Sequence, residues 1–210
     1  MRRDRERKNA ALAAADKRYV WHPFTQMRDW EADEPLVIER GKGCYLYDVL
    51  GRKYLDGVSS LWVTVHGHRK KEIDEAVIRQ VRTLSHSTFL GLTHPGAVEL
   101  ARRLVEVAPP GLERVFYSDN GSTAVEIGLK MAFQYWRQKG EPGRTKFLCL
   151  KGAYHGDTIG SVSVGGMELF HDIFRPLLFE TVKAPAPYCY RCELGLSCAD
   201  CKMKCLDALE

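Results

Sequence analysis

The chain has 210 residues, of which 45% are hydrophobic and 28% are charged, and its formal net charge is +4 at pH 7. This composition is typical of a globular protein that can bury a substantial core. The charge is too small to indicate a nucleic-acid partner. No apolar run reaches the length of a membrane span. The sequence therefore predicts a cytoplasmic protein with neither kind of partner.

The N-terminal region divides into two parts. Residues 1–16 begin with a charge run that mixes acids with bases and is followed by no apolar segment. This pattern favours a solvated tail or a frayed helix over a targeting peptide. Of these two, residues 1–16 are expected to form a charged, disordered tail. Residues 17–75 contain two apolar runs, 36–40 and 44–48, on either side of a glycine-containing turn. These runs predict a β-hairpin within a small α+β segment.

Helical and strand patterns alternate in the rest of the chain. Apolar spacing predicts helices at 72–83, 95–107 and 123–138. β-branched and aromatic content predicts buried strands at 114–118 and 145–150. This alternation indicates the α/β class, with a doubly wound, mostly parallel sheet that binds ligands at the carboxyl ends of its strands.

The turn after the first predicted strand has the chemistry of a phosphate site. Gly121 allows close backbone approach, and Ser122 and Thr123 offer hydroxyls at a helix start, where free N–H groups attract anions. Thr123 and Glu126 have capping-box spacing, and Glu126 can pair with Lys130 on the solvent-facing side. The alternative is an ordinary capped helix.

A second candidate loop follows the strand predicted at 145–150. Tyr154 offers a flat ring that can stack on a heteroaromatic cofactor, and His155 and Asp157 can order its polar edge. The alternative is a surface loop that happens to contain these residues. A phosphate site beside a stacking ring is half of a pyridoxal phosphate site.

With these two motifs, the chain resembles a fold-type I, class III aminotransferase. The opening segment 19–27 narrows the resemblance to the branch that transaminates 8-amino-7-oxononanoate to 7,8-diaminononanoate in biotin biosynthesis. Further agreement lies in the segments 56–62, 66–68, 85–86, 93–94 and 131–136.

The resemblance implies a site and a domain plan. Residues 17–75 would form the small-domain segment and active-site entrance, 76–188 the first half of the large domain that binds pyridoxal 5'-phosphate, and 189–210 a Cys-rich insertion with a truncated helix. The complete protein would be a homodimer acting on small molecules. The cofactor would be bound by Gly121, Ser122, Thr123, Tyr154 and His155.

The substrate pocket implied by the resemblance has unusual members. Phe24, Leu61, Trp62, Tyr154 and Asp157 would line it. The better-known branch of the family has Tyr in place of Phe24 and Trp in place of Leu61. The pocket is therefore more apolar here, which leaves two candidate amino donors, S-adenosylmethionine and lysine. The alternative is that the two replacements are neutral.

The resemblance also implies that the chain is an N-terminal fragment. Family members are longer, and the lysine that forms their Schiff base with the cofactor would lie beyond residue 210, so no catalytic residue is expected in this chain. Lys151 matches no catalytic position of the family. Two other interpretations stay open, namely another class III ω-aminotransferase and a catalytically silent fragment that binds a cofactor or partner.

The seven cysteines fall into two groups. Cys44 and Cys149 lie in apolar runs and are expected to be small core residues. The other five include two Cys-x-x-Cys pairs, which is a zinc-ligand pattern, but the loop between the pairs is short and one cysteine is left over. We therefore expect no metal and a reduced or redox-labile loop at Cys189, Cys192, Cys198, Cys201 and Cys205.

Overall fold

The computed structural model describes residues 2–207 and 209, apart from the side chains at 168 and 170. The chain forms two compact units, one ending at Ala97 and the other beginning at Val98. This division lies later in the chain than the predicted start of the large domain at 76.

The first unit is built from helices and a small antiparallel sheet. Its helices are α1 (Arg2–Tyr19), α2 (Met27–Ala32), the single turn α3 (Ser59–Trp62) and α4 (Lys71–Thr83). Its strands, in spatial order, are β1 (Ile38–Lys42), β2 (Tyr45–Asp48) and β3 (Lys53–Leu55). The predicted hairpin is confirmed, because β1 and β2 pair antiparallel across Gly43, whose φ of +56° suits a tight turn.

Asp48 at the end of β2 is the most buried acid of this unit. It is 2% exposed and accepts hydrogen bonds from Arg52 N at 2.7 Å, Arg52 Nε at 2.6 Å and the Tyr54 hydroxyl at 3.0 Å. Burial raises the pKa of this carboxyl, but the bonds from Arg52 and Tyr54 outweigh burial and hold the pKa below its ordinary value. The three donors fix the turn between β2 and β3.

The second unit has a parallel strand pair at its centre. Helix α5 (Pro95–Val107) contains the division between the units, and α6 (Gly121–Gln138) precedes β4 (Leu148–Leu150). The short helices α7 (Ile159–Ser163) and α8 (Glu168–His171) and a 3-10 helix (Asp172–Leu177) connect β4 to β5 (Val182–Ala184), which pairs with it in parallel. The 3-10 helix Cys189–Arg191 and the helix α9 (Lys204–Asp207) follow.

The core of the second unit lies where α7 packs near this strand pair. Cys149 on β4 is 7% exposed and Ala184 on β5 is 2% exposed, while Ser161 and Val162 on α7 are 0% and 6% exposed. Lys183 Nζ donates a hydrogen bond to the carbonyl oxygen of Ser163 at 3.2 Å. This hydrogen bond from the Lys183 side chain therefore connects the strand pair to the end of α7.

The predicted disordered tail and one predicted core cysteine are wrong. The tail forms helix α1, which is anchored because Lys8 forms an ion pair with Glu39 on β1 and Asn9 is 7% exposed. Cys149 is buried as expected, but Cys44 is exposed because it occupies the hairpin turn. The predicted C-terminal helix is present over Lys204–Asp207, while Ala208 and Glu210 lie outside the described residues.

One of the two predicted strands is also wrong. Residues 114–118 form no strand, and Phe116 is 65% exposed. No other described segment pairs with them, and a strand is stable only when a neighbour satisfies its backbone groups. The strand predicted at 145–150 is present in its last three residues as β4, because those three pair with β5.

Candidate active site

The start of α6 leaves backbone donors open. Asn120 is its N-cap and forms a reciprocal capping box with Thr123, in which Thr123 N donates to Asn120 Oδ1 at 3.0 Å and Asn120 N donates to Thr123 Oγ1 at 3.1 Å. Among the described residues, none accepts a hydrogen bond from the N–H of Gly121 or Ser122. Two N–H groups at a helix start are therefore available to an anion.

The capping box predicted for Thr123 and Glu126 is wrong. Asn120, a strong capping residue, begins the helix earlier than the sequence pattern suggested. Glu126 consequently lies in the second turn and does not pair with Lys130. Its Oε1 instead accepts hydrogen bonds from Thr158 Oγ1 at 2.5 Å and from the N–H of Gly160 at 2.8 Å and Ser161 at 3.3 Å. Glu126 thus provides an acceptor for the free backbone N–H groups at the start of α7.

The loop after β4 lies directly against the start of α6. Asp157 N donates a hydrogen bond to Ser122 Oγ at 3.3 Å, and Ser161 Oγ donates to the Ser122 carbonyl oxygen at 3.2 Å. Gly156 makes this approach possible, since its φ is +114° and an added Cβ would lie 1.8 Å from Ser122 Oγ. The two motifs predicted from the sequence therefore meet in one place.

Tyr154 presents a ring beside this contact. The Tyr154 hydroxyl donates a hydrogen bond to Asp157 Oδ2 at 2.8 Å, and the side chain is 50% exposed. The hydrogen bond to the anionic carboxylate of Asp157, assisted by desolvation, raises the pKa of the Tyr154 phenol. His155 is exposed, and no described residue forms a hydrogen bond with its ring. The hydrogen bond to Asp157 thus orients the Tyr154 side chain, and about half of that side chain remains exposed to solvent.

The other predicted substrate residues belong to the first unit. Phe24 is 80% exposed, Leu61 67% and Trp62 75%. Leu61 and Trp62 lie in α3, where Ser59 to Trp62 all have positive φ between 48° and 69°, so this turn is left-handed and strained for residues that carry a Cβ. Asp56 supports it by accepting hydrogen bonds from Ser60 N and from His68 Nε2, each at 2.8 Å.

Sequence reasoning missed the residues that hold the two motifs together. Glu126, Thr158 and Ser161 form hydrogen bonds across the α6–α7 region, Asn120 caps α6 through Thr123, and the buried His171 lies 3.6 Å from Asp157. Asn120 had a local signal, because Asn before an apolar-periodic run is an N-cap pattern. The remaining contacts join segments that are distant in sequence and have no local signal.

The described residues show neither a membrane-spanning helix nor a metal site. None of the helices within 2–207 is both long and apolar enough to cross a bilayer. No group of three or more His, Cys, Asp or Glu side chains in that range is arranged to hold a metal ion. All seven cysteines are free thiols.

Comparison with known proteins identifies the family. Residues 27–210 match the model of aminotransferase class-III. The chain belongs to this family, and its fold is the incomplete α/β fold of a fold-type I aminotransferase. The resemblance inferred from the sequence is therefore confirmed.

Particular relatives are similar over most of this chain. It is 60% identical over 196 residues to the adenosylmethionine-8-amino-7-oxononanoate aminotransferase of Geobacter sulfurreducens, covering 93% of this chain and 43% of that protein. The crystal structure of the enzyme of that name from Methanocaldococcus jannaschii aligns with a TM-score of 0.85 at 46% identity, covering 95% of this chain and 43% of that one. An (S)-enantioselective omega-transaminase from Thermomicrobium roseum aligns with a TM-score of 0.86 at 34% identity, covering 95% and 44%. The chain spans less than half the length of these relatives.

Proposed function

We propose that this chain supplies the phosphate-binding and ring-binding part of a pyridoxal-phosphate-dependent aminotransferase that converts 8-amino-7-oxononanoate to 7,8-diaminononanoate in biotin biosynthesis. The observation that carries the proposal is the contact between the open start of α6 and the Tyr154 loop, made through Ser122 and Asp157. The name shared by the relatives most similar in sequence supports the choice of reaction.

The residues at this contact fit pyridoxal 5'-phosphate. The N–H groups of Gly121 and Ser122 point to no described acceptor, and space is open around Gly121. Ser122 Oγ accepts from Asp157 N and still has its own proton to donate. A phosphate dianion is stabilised by such donors at a helix start, and the half-exposed Tyr154 ring is available to the flat heteroaromatic ring.

Each side chain has a distinct role in this proposal. When bound, the cofactor supplies an electron sink for moving an amino group between two substrates. Gly121, Ser122 and Thr123 hold the phosphate end, with Thr123 acting through the cap it forms with Asn120. Tyr154 stacks on the ring, and Asp157 fixes the Tyr154 hydroxyl. His155 orders the polar edge of the ring.

The pocket residues of the first unit decide the amino donor in this proposal. Phe24 has no hydroxyl and Leu61 has no indole, so neither offers a polar partner or a wide stacking surface to S-adenosylmethionine. Lysine is smaller and needs neither. Two amino donors are proposed. The name of the relatives supports S-adenosylmethionine, and the chemistry of these two side chains together with Trp62 supports lysine.

A second candidate is an ω-aminotransferase of the same family acting on a different amine. The structural alignment with the omega-transaminase from Thermomicrobium roseum, at a TM-score of 0.86, favours it, although the sequence identity is only 34%. We propose a homodimeric, cytoplasmic protein in either case.

Binding of pyridoxamine 5'-phosphate to this chain tests the cofactor part of the proposal. Titration calorimetry should show binding that pyridoxamine, which lacks the phosphate, does not reproduce. Ser122→Ala should weaken the binding about tenfold by removing one hydroxyl donor. Ser87→Ala, at a half-buried serine of the first unit, is the matched control. Equal affinity for the two ligands would rule out the phosphate site.

Donor-dependent formation of 7,8-diaminononanoate tests the reaction. The protein that carries this chain in full should form it from 8-amino-7-oxononanoate with S-adenosylmethionine or lysine. Product formation only with unrelated ω-amines and ketones would favour the second candidate, and no product with any amine would favour the silent binding fragment.

A further inference from the structure

The second unit contains a buried histidine that the proposed site does not use. His171 ends helix α8 and is 8% exposed. Both of its ring nitrogens are buried, and neither forms a hydrogen bond with any described residue. Buried polar atoms without a partner are rare because leaving them unpaired is unfavourable, so each one calls for a physical reason.

The carboxylate of Asp157 lies close to this histidine. His171 Nε2 lies 3.6 Å from Asp157 Oδ1, which is too far for a good hydrogen bond and too close for a water molecule to lie between them. A small change in the Asp157 side chain, which is 48% exposed on the loop, brings the two atoms into hydrogen-bond range. The other oxygen of the same carboxylate already accepts the Tyr154 hydroxyl at 2.8 Å.

The surroundings of His171 are suited to hold its side chain in a fixed position. His171 lines a cavity of about 910 Å³, together with Val162 and Ser163 of the buried helix α7. Val162 is 6% exposed and Ser163 is 3% exposed, so the wall of this cavity is part of the core. A histidine held in the core can orient a carboxylate that is itself on a half-exposed loop.

We propose that His171 is a positioning residue, which donates a hydrogen bond from Nε2 to Asp157 and thereby holds this carboxylate against the Tyr154 hydroxyl. The chain of contacts His171–Asp157–Tyr154 then links the core of the second unit to the ring that faces the cofactor. The catalytic meaning of this link rests on the proposed function, but the link itself is a property of the chain without cofactor.

Titration of the Tyr154 phenol measures the link directly. The chain is labelled with ¹³Cζ-tyrosine, and the Tyr154 resonance is assigned by its loss in Tyr154→Phe. If His171 holds Asp157 in place, His171→Phe frees the carboxylate to turn into solvent, and the raised pKa of Tyr154 falls by about half a pH unit or more. His171→Gln, whose amide nitrogen is placed like Nε2, should retain the pKa of the parent chain.

Two comparisons keep the outcome decisive. His171→Asn is the matched control, because its shorter amide corresponds to Nδ1 and should behave like His171→Phe. An unchanged pKa of Tyr154 in His171→Phe, or an equal fall in the Gln and Phe variants, would overturn the proposal. If His171→Phe does not fold, Asp157→Asn gives the same information from the other end, since it should change the ¹⁵Nε2 shift of His171, and an unchanged shift would also overturn it.

Because no cofactor or substrate is present in these measurements, their failure is distinct from a failure of the proposed reaction. A positive link with no transaminase activity would retain the positioning role and remove its catalytic meaning. Activity without the link would leave the proposed function intact and remove His171 from the site.

Discussion

Replacing Glu126 tests how the two halves of the candidate site are held together. Its Oε1 accepts hydrogen bonds from the Thr158 hydroxyl and from the N–H groups of Gly160 and Ser161. Gly160 and Ser161 are buried, so Glu126→Ala leaves two buried donors unpaired, while Thr158 is only half-buried and has other partners in reach. Each unpaired buried donor costs about 1–3 kcal/mol.

We therefore expect Glu126→Ala to lower the free energy of unfolding by about 3 kcal/mol. Glu126→Gln keeps an oxygen acceptor and the side-chain volume but loses the charge, and its expected effect is about 1 kcal/mol. Urea unfolding of the chain, followed by far-ultraviolet circular dichroism, measures both values.

The matched control is Glu106→Ala on α5. Glu106 forms an ion pair with Arg102 in which the two side chains are 56% and 55% exposed, and such surface pairs contribute about 0–1 kcal/mol. If Glu126→Ala is no more destabilising than Glu106→Ala, the bonds of Glu126 to α7 do not stabilise the unit and the reasoning is refuted.

Three further predictions concern other parts of the molecule. Gly156→Ala should destabilise the chain by about 2 kcal/mol or more and weaken pyridoxamine 5'-phosphate binding, because the added Cβ would overlap Ser122 Oγ at a positive φ. Urea unfolding measures the loss of stability, and calorimetry measures the binding. Asp48→Asn should remove part of the loss of stability in acid. The lowered folded-state pKa of Asp48 contributes stability that is present above about pH 4 and is lost as the pH falls through the folded value. Unfolding measured at several pH values compares the two chains. Under the proposed function, Phe24→Tyr with Leu61→Trp in the protein that carries this chain in full should raise kcat/KM for S-adenosylmethionine relative to lysine by about tenfold. Single-turnover assays with each donor measure this ratio.

Each of these predictions has an outcome that contradicts it. Gly128→Ala, on α6 with open space around it, should be neutral or stabilising, so an equal loss in Gly128→Ala and Gly156→Ala would argue against the overlap. Parallel acid-unfolding curves for the parent chain and Asp48→Asn would mean that Asp48 does not titrate with folding. An unchanged donor ratio would show that the replacements at Phe24 and Leu61 are neutral.

Local patterns were sufficient for the elements whose signals are local. The helix predicted at 95–107 has those bounds in the structure, because Pro95 suits a first helical position and the apolar period continues to Val107. The β-hairpin follows from Gly43 between two apolar runs. Both elements are determined by residues within a few positions of one another, which is the range in which sequence patterns predict structure well.

Long-range contacts account for the errors. Glu126 has a lysine one turn away, so the helical spacing rule predicts a surface pair, but its actual partner Gly160 is 34 positions further along the chain. The strand predicted at 114–118 has a suitable composition and no described neighbour to pair with. In both cases the residues have the local chemistry that the prediction assumed, but the presence or absence of a tertiary partner decides which structure forms.

The contact at Ser122 explains why the two predicted motifs belong to one site. Its hydroxyl oxygen accepts the N–H of Asp157, and its carbonyl oxygen accepts the Ser161 hydroxyl. Its own N–H and its hydroxyl proton have no acceptor among the described residues. Both are donors, and an anion at the start of α6 can receive both while the bonds to the loop remain. The proposed phosphate binding at Ser122 is therefore compatible with the placement of Tyr154 through Asp157, because the two use different groups of the same serine.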